Sequence, residues 1–370
     1  MRPSRRPLNF LPGPVAIHGE VLRALAGPPV SHRGSAFLAE MAEVRRELRR
    51  RTGAAHVEVL LGSGTLANEA VAAQLSLLPG RGAVLVNGEF GSRLAAQAKR
   101  WRLSFQEIAA GWGEPWPLEA LRHALDADPG VRWVWAVHCE TSTGVLNDLA
   151  RLTELTRERG VALCLDAISS LGNVAVDLSW VHLATGVSGK GLASLPGLAL
   201  VFHAEPVEPA PHLPHYLDIG SYARADSVPF TTCTNLVSAL AASLARSARR
   251  DGFAHRRGLA AWLRPRLEGL GFAILAPEPI AAPMVLTLQP PPGLPALDLG
   301  EALEERNLWV SYRSGYLLER NLLQVCLMGE HHRRGLEELL AALSELRQNR
   351  LGGRAAPSGE WLARRGEQLA

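Results

Sequence analysis

The stretch 184–192 reads ATGVSGKGL, an apolar run that leads into a loop of small residues around one lysine. That lysine is unusual, because only Lys99 and Lys190 are lysines among the 39 basic residues and the rest are arginines. A guanidinium stays protonated and cannot form an imine, whereas a lysine amine of lowered pKa can attack an aldehyde. We therefore predict Schiff-base chemistry at Lys190, with a plain surface charge as the alternative. Lys99 is expected on the polar face of a helix.

Outward from this stretch, continuous apolar runs alternate with helical segments from residue 57 onward. Runs without polar alternation are typical of parallel strands covered on both faces. The expected strands are Val57–Leu61, Gly82–Val86, Val131–His138, Val161–Leu165, Leu183–Val187 and Gly197–His203, with helices beginning near Thr65, Gly91, Pro117 and Asp148. This order predicts an α/β fold with a mostly parallel central sheet and ligands at the carboxyl ends of the strands.

Length and composition set limits on the rest. A chain of 370 residues exceeds what one core usually supports, so we expect an N-terminal arm and large domain over 1–250, a small C-terminal α/β domain over 251–348, and a poorly ordered tail over 349–370.

A net charge of +3 with scattered arginines disfavours nucleic-acid binding. Four cysteines without CxxC spacing fit a reducing compartment. No apolar run suits a signal peptide or a membrane span, so the expected location is cytoplasmic.

The loop Ser63-Gly64-Thr65 follows a predicted strand and opens a predicted helix. Glycine lets the backbone approach a ligand, the helix N-terminus favours an anion, and the threonine hydroxyl adds a donor. The loop therefore suits a phosphate group, with a plain helix cap as the alternative. It lacks the Walker lysine and the GxGxxG pattern, so nucleotide binding is the weaker hypothesis.

Other strand ends carry chemistry of their own. Asp166 ends a core strand, where a carboxylate can pair with a protonated pyridine nitrogen; capping the next turn is the alternative. Phe90 lies between two glycines, where its face can stack on a flat ring, or it fills the core. Residues 138–144 place a cluster of donors and acceptors at a further strand end. Together with the phosphate loop and the imine-forming lysine, these residues describe one cofactor, pyridoxal phosphate.

The ordered motifs PGP, GSGT, NGxFGxR, HCETSTGVL, LDAxSSLG, SxKGL and PG resemble those of the class V aminotransferases, particularly the alanine–glyoxylate and 2-aminoethylphosphonate–pyruvate branches. The resemblance runs from about residue 10 to residue 330. It implies the pyridoxal-phosphate fold type I, a homodimer with a shared active site, and the cofactor on Lys190. By position it implies roles for Ser63, Gly64 and Thr65 (phosphate), Phe90 (ring stacking), Thr141 (cofactor hydrogen bond), Asp166 (pyridinium), Ile168 (opposite ring face) and Thr232 (phosphate, from the second subunit).

The sequence departs from the family pattern at two positions. Gly189 stands where the family usually has a glutamine before the Schiff-base lysine, which predicts the loss of one cofactor contact. Gln324 stands where the family has the arginine that grips the substrate carboxylate, and an amide cannot give that charge-assisted clamp. Arg313 is either a substitute for that arginine or, as we expect, a surface residue.

Three functions are compatible with these motifs. The leading prediction is amino-group transfer between a small amine or amino acid and a 2-oxo acid or aldehyde, with Lys190 as general acid and base and Asp166 as the partner of the ring nitrogen. The second is a lyase or desulfurase on the same cofactor, which Cys326 suggests, although its surroundings predict a strand rather than a mobile loop. The third is a binding protein with little turnover. The sequence does not name the donor or the acceptor.

Overall fold

The computed structural model of the chain describes residues 7–248 and 252–351. Its strands are β1 (Leu8–Asn9), β2 (His56–Gly62), β3 (Arg81–Val86), β4 (Phe105–Ala109), β5 (Val131–Val137), β6 (Cys139–Glu140), β7 (Val145–Leu146), β8 (Ala162–Asp166), β9 (Leu183–Val187), β10 (Gly197–His203), β11 (Ala273–Ile274), β12 (Val285–Gln289), β13 (Leu308–Trp309) and β14 (Leu323–Cys326). Its helices are α1 (Gly19–Leu25), α2 (Ser35–Thr52), α3 (Gly64–Leu75), α4 (Glu89–Arg100), α5 (Leu118–Ala127), α6 (Leu149–Glu158), α7 (Ile219–Arg224), α8 (Thr234–Ser247), α9 (Gly252–Gly269), α10 (Ala296–Glu304), α11 (Gly315–Arg320) and α12 (Arg333–Leu351).

Seven strands of the described residues form the central sheet, in the order β2-β10-β9-β8-β5-β3-β4. Neighbouring strands pair in parallel from β9 to β4, while β10 is antiparallel to both β9 and β2. The predicted strands are all present, and the sheet is mostly parallel as expected. Strand β4 was not predicted, because only Ile108 of its five residues is buried and its sequence is not a continuous apolar run.

Both faces of the sheet are covered, which explains the apolar runs. Leu163 and Leu165 of β8 pack in one core with Met41 of α2, and Cys164 between them packs in a second core with Val71 of α3. Each strand therefore buries successive side chains on opposite faces. Full burial of a leucine stabilises the fold by about 1.5–3 kcal/mol.

The C-terminal part builds a further core around the antiparallel sheet β11-β12-β14. Leu263 of α9, Leu299 of α10 and Leu336 of α12 pack in this core. Strand β1 pairs in parallel with β13, and Phe10 joins the same core, so the N-terminal arm is attached here. The domain boundary at residue 250 stays a prediction. Helix α12 extends to Leu351, and the rest of the predicted tail lies outside the described residues.

The parallel strands bring their carboxyl ends to one edge of the sheet. Helix α3 begins two residues after β2, α4 begins three residues after β3, and the loop with Lys190 follows β9 directly. In register, Asp166 of β8 lies beside Val137 of β5 and Thr185 of β9. The predicted site residues of these segments therefore meet at this edge. Of the helices in 7–248 and 252–351, none combines the length and hydropathy that crossing a membrane requires.

Candidate active site

A cavity of about 390 Å³ opens at the carboxyl edge of the sheet. Its volume lies in the range of small-molecule sites, roughly 300–1,000 Å³. Its walls include seven of the nine site residues predicted from the sequence, namely Gly64, Thr65, Phe90, Thr141, Asp166, Ile168 and Lys190. Five segments far apart in the chain thus converge on one space.

Lys190 presents its amine to the inside of this cavity. Its Nζ donates a hydrogen bond to Ser169 Oγ at 2.9 Å and lies 5.4 Å from the centroid of the Phe90 ring. Burial lowers the pKa of Lys190 below that of an ordinary lysine, while the nearby Asp166 carboxylate opposes the shift. A lowered pKa leaves more of the amine unprotonated near neutral pH, which is the form that attacks an aldehyde.

Asp166 is buried at the end of β8 and is held on both carboxylate oxygens. Asn68 Nδ2 donates to its Oδ2 at 2.8 Å, and the Ile168 amide donates to its Oδ1 at 2.9 Å. Asn68 is itself oriented by Thr185, whose hydroxyl donates to Asn68 Oδ1 at 2.8 Å. Burial raises the pKa of Asp166, and its donors and Lys190 oppose the rise. The carboxylate therefore caps the following turn and also lines the cavity, so the two interpretations of this residue are compatible.

The N-terminus of α3 forms another wall. Ser63 is the N-cap residue, but its side chain makes no capping hydrogen bond, so the plain-cap alternative is wrong for Ser63. Gly64 packs so closely on Ile168, another lining residue, that an added Cβ would lie 2.6 Å from Ile168 Cδ1. Gly64 and Thr65 line the cavity, whereas Ser63 is exposed and is not among the lining residues.

The aromatic and hydroxyl residues face the same space. Phe90 lies in the first turn of α4. Its ring packs edge-to-face with the ring of Tyr316, and the two ring centroids are 6.5 Å apart. Thr141 Oγ1 lies 2.5 Å from Ser169 Oγ, which links it to Lys190. Thr232 precedes α8 and does not line the cavity of its own chain. Its predicted contact from a second subunit stays a prediction.

The departures from the family pattern have structural reasons. A Cβ at Gly189 would lie 2.8 Å from Pro196 Cα, so the backbone at Pro196 leaves no room for a side chain at position 189. Gln324 is fully buried: its Nε2 donates to Thr141 O at 2.5 Å and to Thr287 Oγ1 at 2.9 Å, and its Oε1 accepts from Tyr316 at 3.1 Å. Both Nε2 hydrogens are used by acceptors of the protein, and the amide joins β14 to the loop of Thr141.

Arg313 is a surface residue, as expected. Its guanidinium pairs with Glu304 at 2.8 Å and Glu301 at 3.7 Å, and it is not among the residues that line the cavity. It does not substitute for the missing arginine. Cys326 is buried in β14, which confirms the predicted strand.

Several residues of the cavity were not singled out from the sequence, among them Asn68, Ser169, Arg93 and Arg100. Asn68 lies one helical turn after Gly64, and Ser169 lies three residues after Asp166; both positions share a motif with a predicted residue. Arg93 and Arg100 also line the cavity, from α4. Arg93 pairs with Glu89 at 2.9 Å, and its guanidinium carbon lies 5.0 Å from the Phe90 centroid. The three-residue spacing of Phe90 and Arg93 on a helix was a usable signal.

Comparisons with known proteins agree with this geometry. The profile of the family described as Aminotransferase class-V matches residues 18–213. The chain is 31% identical over 308 residues to the 2-aminoethylphosphonate–pyruvate transaminase of Pseudomonas fluorescens, covering 79% of this chain and 83% of that protein. It is 32% identical over 317 residues to the soluble hydrogenase 42 kDa subunit of Anabaena cylindrica, covering 80% and 82%.

The solved structures extend the likeness to the fold. The crystal structure of alanine–glyoxylate aminotransferase from Nostoc sp. is 31% identical, has a TM-score of 0.83, and is matched over 94% of this chain and 97% of that chain. The predicted fold, a mostly parallel sheet with a smaller α/β domain as in fold type I, is thereby confirmed.

Proposed function

The chain belongs to the class V aminotransferase family, and we propose that its Lys190 holds pyridoxal phosphate in the cavity at the sheet edge. Membership of this family identifies the chain as an aminotransferase. The relatives that are named as transaminases or aminotransferases do not favour the lyase or desulfurase alternative. The observation that carries the proposal is the meeting of a lysine of lowered pKa, an aromatic face and a buried carboxylate in one cavity.

The residues present fit the cofactor. The N-terminus of α3 has no side-chain cap from Ser63, and Gly64 lets its backbone face the cavity, so its amides are suited to a phosphate group. Phe90 and Ile168 both line the cavity and provide apolar contacts for a flat ring. Asp166 provides a carboxylate for a protonated ring nitrogen, and Thr141 provides a hydroxyl.

When bound, pyridoxal phosphate supplies an aldehyde that links to amines and a ring that accepts electrons. The chain supplies the rest. Lys190 offers an amine that is easily deprotonated and that can accept and return a proton as a general base and acid. Ser169 orients this amine by its 2.9 Å hydrogen bond. Asp166 is held by Asn68 and the Ile168 amide in a fixed position, so its carboxylate needs no rearrangement to act.

We propose small substrates: an amine or amino acid as donor and a 2-oxo acid or aldehyde as acceptor. The relatives named for 2-aminoethylphosphonate, alanine, pyruvate and glyoxylate support this size. The Nε2 donors of Gln324 are already bound to Thr141 O and Thr287 Oγ1, so they are not available to a substrate carboxylate. Arg93 and Arg100 supply the arginine charges on the cavity wall.

We also propose a homodimer in which Thr232 of one subunit completes the phosphate site of the other, and a cytoplasmic location. The family resemblance supports the dimer, and the exposed N-terminus of α3 leaves a side from which a second chain can approach. All four cysteines are free, which agrees with a reducing compartment.

A donor and acceptor panel tests the proposed function. The purified protein is incubated with pyridoxal phosphate, with alanine, serine or 2-aminoethylphosphonate as donor and pyruvate or glyoxylate as acceptor, and the new amino acid is quantified. We expect transfer for at least one pair, its loss in Lys190→Ala, and its retention in Lys99→Ala, whose exposed side chain serves as the control. Absence of transfer with every pair would contradict the proposed substrates.

A further inference from the structure

Glu140 is a fully buried carboxylate that the proposed chemistry does not use. Its Oε2 accepts hydrogen bonds from the amides of Phe90 at 3.1 Å and Gly91 at 3.0 Å. Its Oε1 accepts from the hydroxyl of Ser142 at 2.5 Å and from the Ser142 amide at 3.2 Å. Burial raises the pKa of Glu140, and these donors oppose the rise. In all four of these hydrogen bonds Glu140 is the acceptor, which suits a carboxylate.

These bonds replace a local helix cap. The N-cap residue of α4 is Gly88, which has no side chain to bind the first amides of the helix. The Ser142 hydroxyl accepts from the Glu89 amide at 3.1 Å, and Glu140 binds the next two amides. The fit is close, because a Cβ on Gly88 would lie 2.5 Å from Glu140 Cδ. The start of α4 is therefore fixed by a segment about 50 residues further along the chain.

The two ends of this contact both carry cavity residues. Phe90 is one of the residues whose amide Glu140 binds, and Thr141 directly follows Glu140 in the chain. A backbone held on both sides of a cavity keeps the side chains on it in one geometry. Hydrogen bonds from these donors to an ionised carboxylate are also stronger than the hydrogen bonds that a neutral capping side chain would form in the same geometry.

We propose that Glu140 is a positioning residue, which sets the ring of Phe90 against the cofactor by holding the first turn of α4 to the loop of Thr141. This role rests on the proposed function, since it concerns the affinity for pyridoxal phosphate. Glu140 does not line the cavity and acts through Phe90.

The experiment compares Glu140→Ala and Glu140→Gln with Glu58→Gln as a matched control. Glu58 is also fully buried and also accepts a 2.5 Å bond from a serine hydroxyl, that of Ser227. Its other partners are Arg45 and His203, and none of the three lines the cavity, whereas Glu140 binds the amide of the cavity residue Phe90. Two quantities are measured: hydrogen exchange at the Phe90 and Gly91 amides without cofactor, and the dissociation constant for pyridoxal phosphate by titration. The exchange measurement does not depend on the cofactor.

Glu140→Ala is expected to speed exchange at both amides and to weaken cofactor binding about tenfold, the size of one lost aromatic stacking contact. Glu140→Gln keeps one oxygen for the amides, so it should recover part of both effects, and Glu58→Gln should match wild type. Unchanged exchange in Glu140→Ala would overturn the proposal, as would faster exchange with unchanged affinity. If wild type bound no cofactor at all, the proposed function and this role would both be wrong, while a Glu140→Ala exchange effect would still establish the cap.

Discussion

The N-termini of α3 and α4 lie at the same edge of the sheet, but they differ in how they are capped. At α3 the N-cap Ser63 makes no side-chain capping bond, and Gly64 opens the backbone to the cavity. At α4 the first three amides are all taken by Glu140 and Ser142. Orphan amides at a helix start are satisfied by caps, water or ligands. One terminus is thus available to an anion, and the other is used to fix an aromatic residue.

Closing the α3 terminus should have the largest effect on cofactor binding. Gly64→Asp adds a carboxylate where we place the cofactor phosphate, and its Cβ would come within 2.6 Å of Ile168 Cδ1. Like-charge repulsion and overpacking together are expected to weaken pyridoxal phosphate binding about a hundredfold. The dissociation constant is measured by spectral titration. Gly258→Asp is the control, because a Cβ at Gly258 meets nothing within 4 Å; equal effects of the two variants would contradict the assignment of the α3 terminus.

Opening the α4 terminus should mainly cost stability. In Glu140→Ala four donors lose their acceptor: the Phe90, Gly91 and Ser142 amides and the Ser142 hydroxyl. A buried unsatisfied donor costs about 1–3 kcal/mol, and allowing for partial relaxation we expect the free energy of unfolding to fall by about 3 kcal/mol. Denaturant unfolding without cofactor measures it. A loss below about 1 kcal/mol would mean that water replaces the carboxylate.

The smallest expected effect on folding is at Ser63. When an N-cap serine forms a capping hydrogen bond, its replacement by alanine lowers the free energy of unfolding by about 1 kcal/mol. Since the Ser63 side chain makes no such bond, Ser63→Ala should leave the free energy of unfolding within about 0.5 kcal/mol of wild type. The same unfolding assay, run beside Glu140→Ala, measures the contrast between the two helix starts. A full capping cost at Ser63 would remove that contrast.

The sequence predicted the strands of the central sheet because both faces are buried, so periodicity and burial agree there. It could not predict the direction of β10, since an apolar run does not encode which way a strand points. Nor did it indicate β4, where Gln106 and Glu107 are exposed. Apolar patterns report burial, and pairing direction depends on the connections between strands.

The site was predicted to the extent that its residues sit in local motifs. Asp166 ends a strand, and Lys190, Phe90 and Gly64 each follow one, so their meeting at one edge could be expected. The bonds between motifs could not: Asn68 holds Asp166 across 98 positions, and Glu140 holds the Phe90 amide across 50. Such contacts require the fold, because nothing in either local sequence specifies the distant partner.

The most direct test of the central claim uses the scarcity of lysine. Wild-type protein is incubated with pyridoxal phosphate, reduced with borohydride to make any imine permanent, digested, and the modified residue is located by mass spectrometry. Lys190 and Lys99 are the only two lysines in the sequence. We predict stoichiometric modification at Lys190 and none at Lys99, which lies 3.6 Å from Glu107 on the surface. Modification at Lys99 alone, or at neither lysine, would contradict the account.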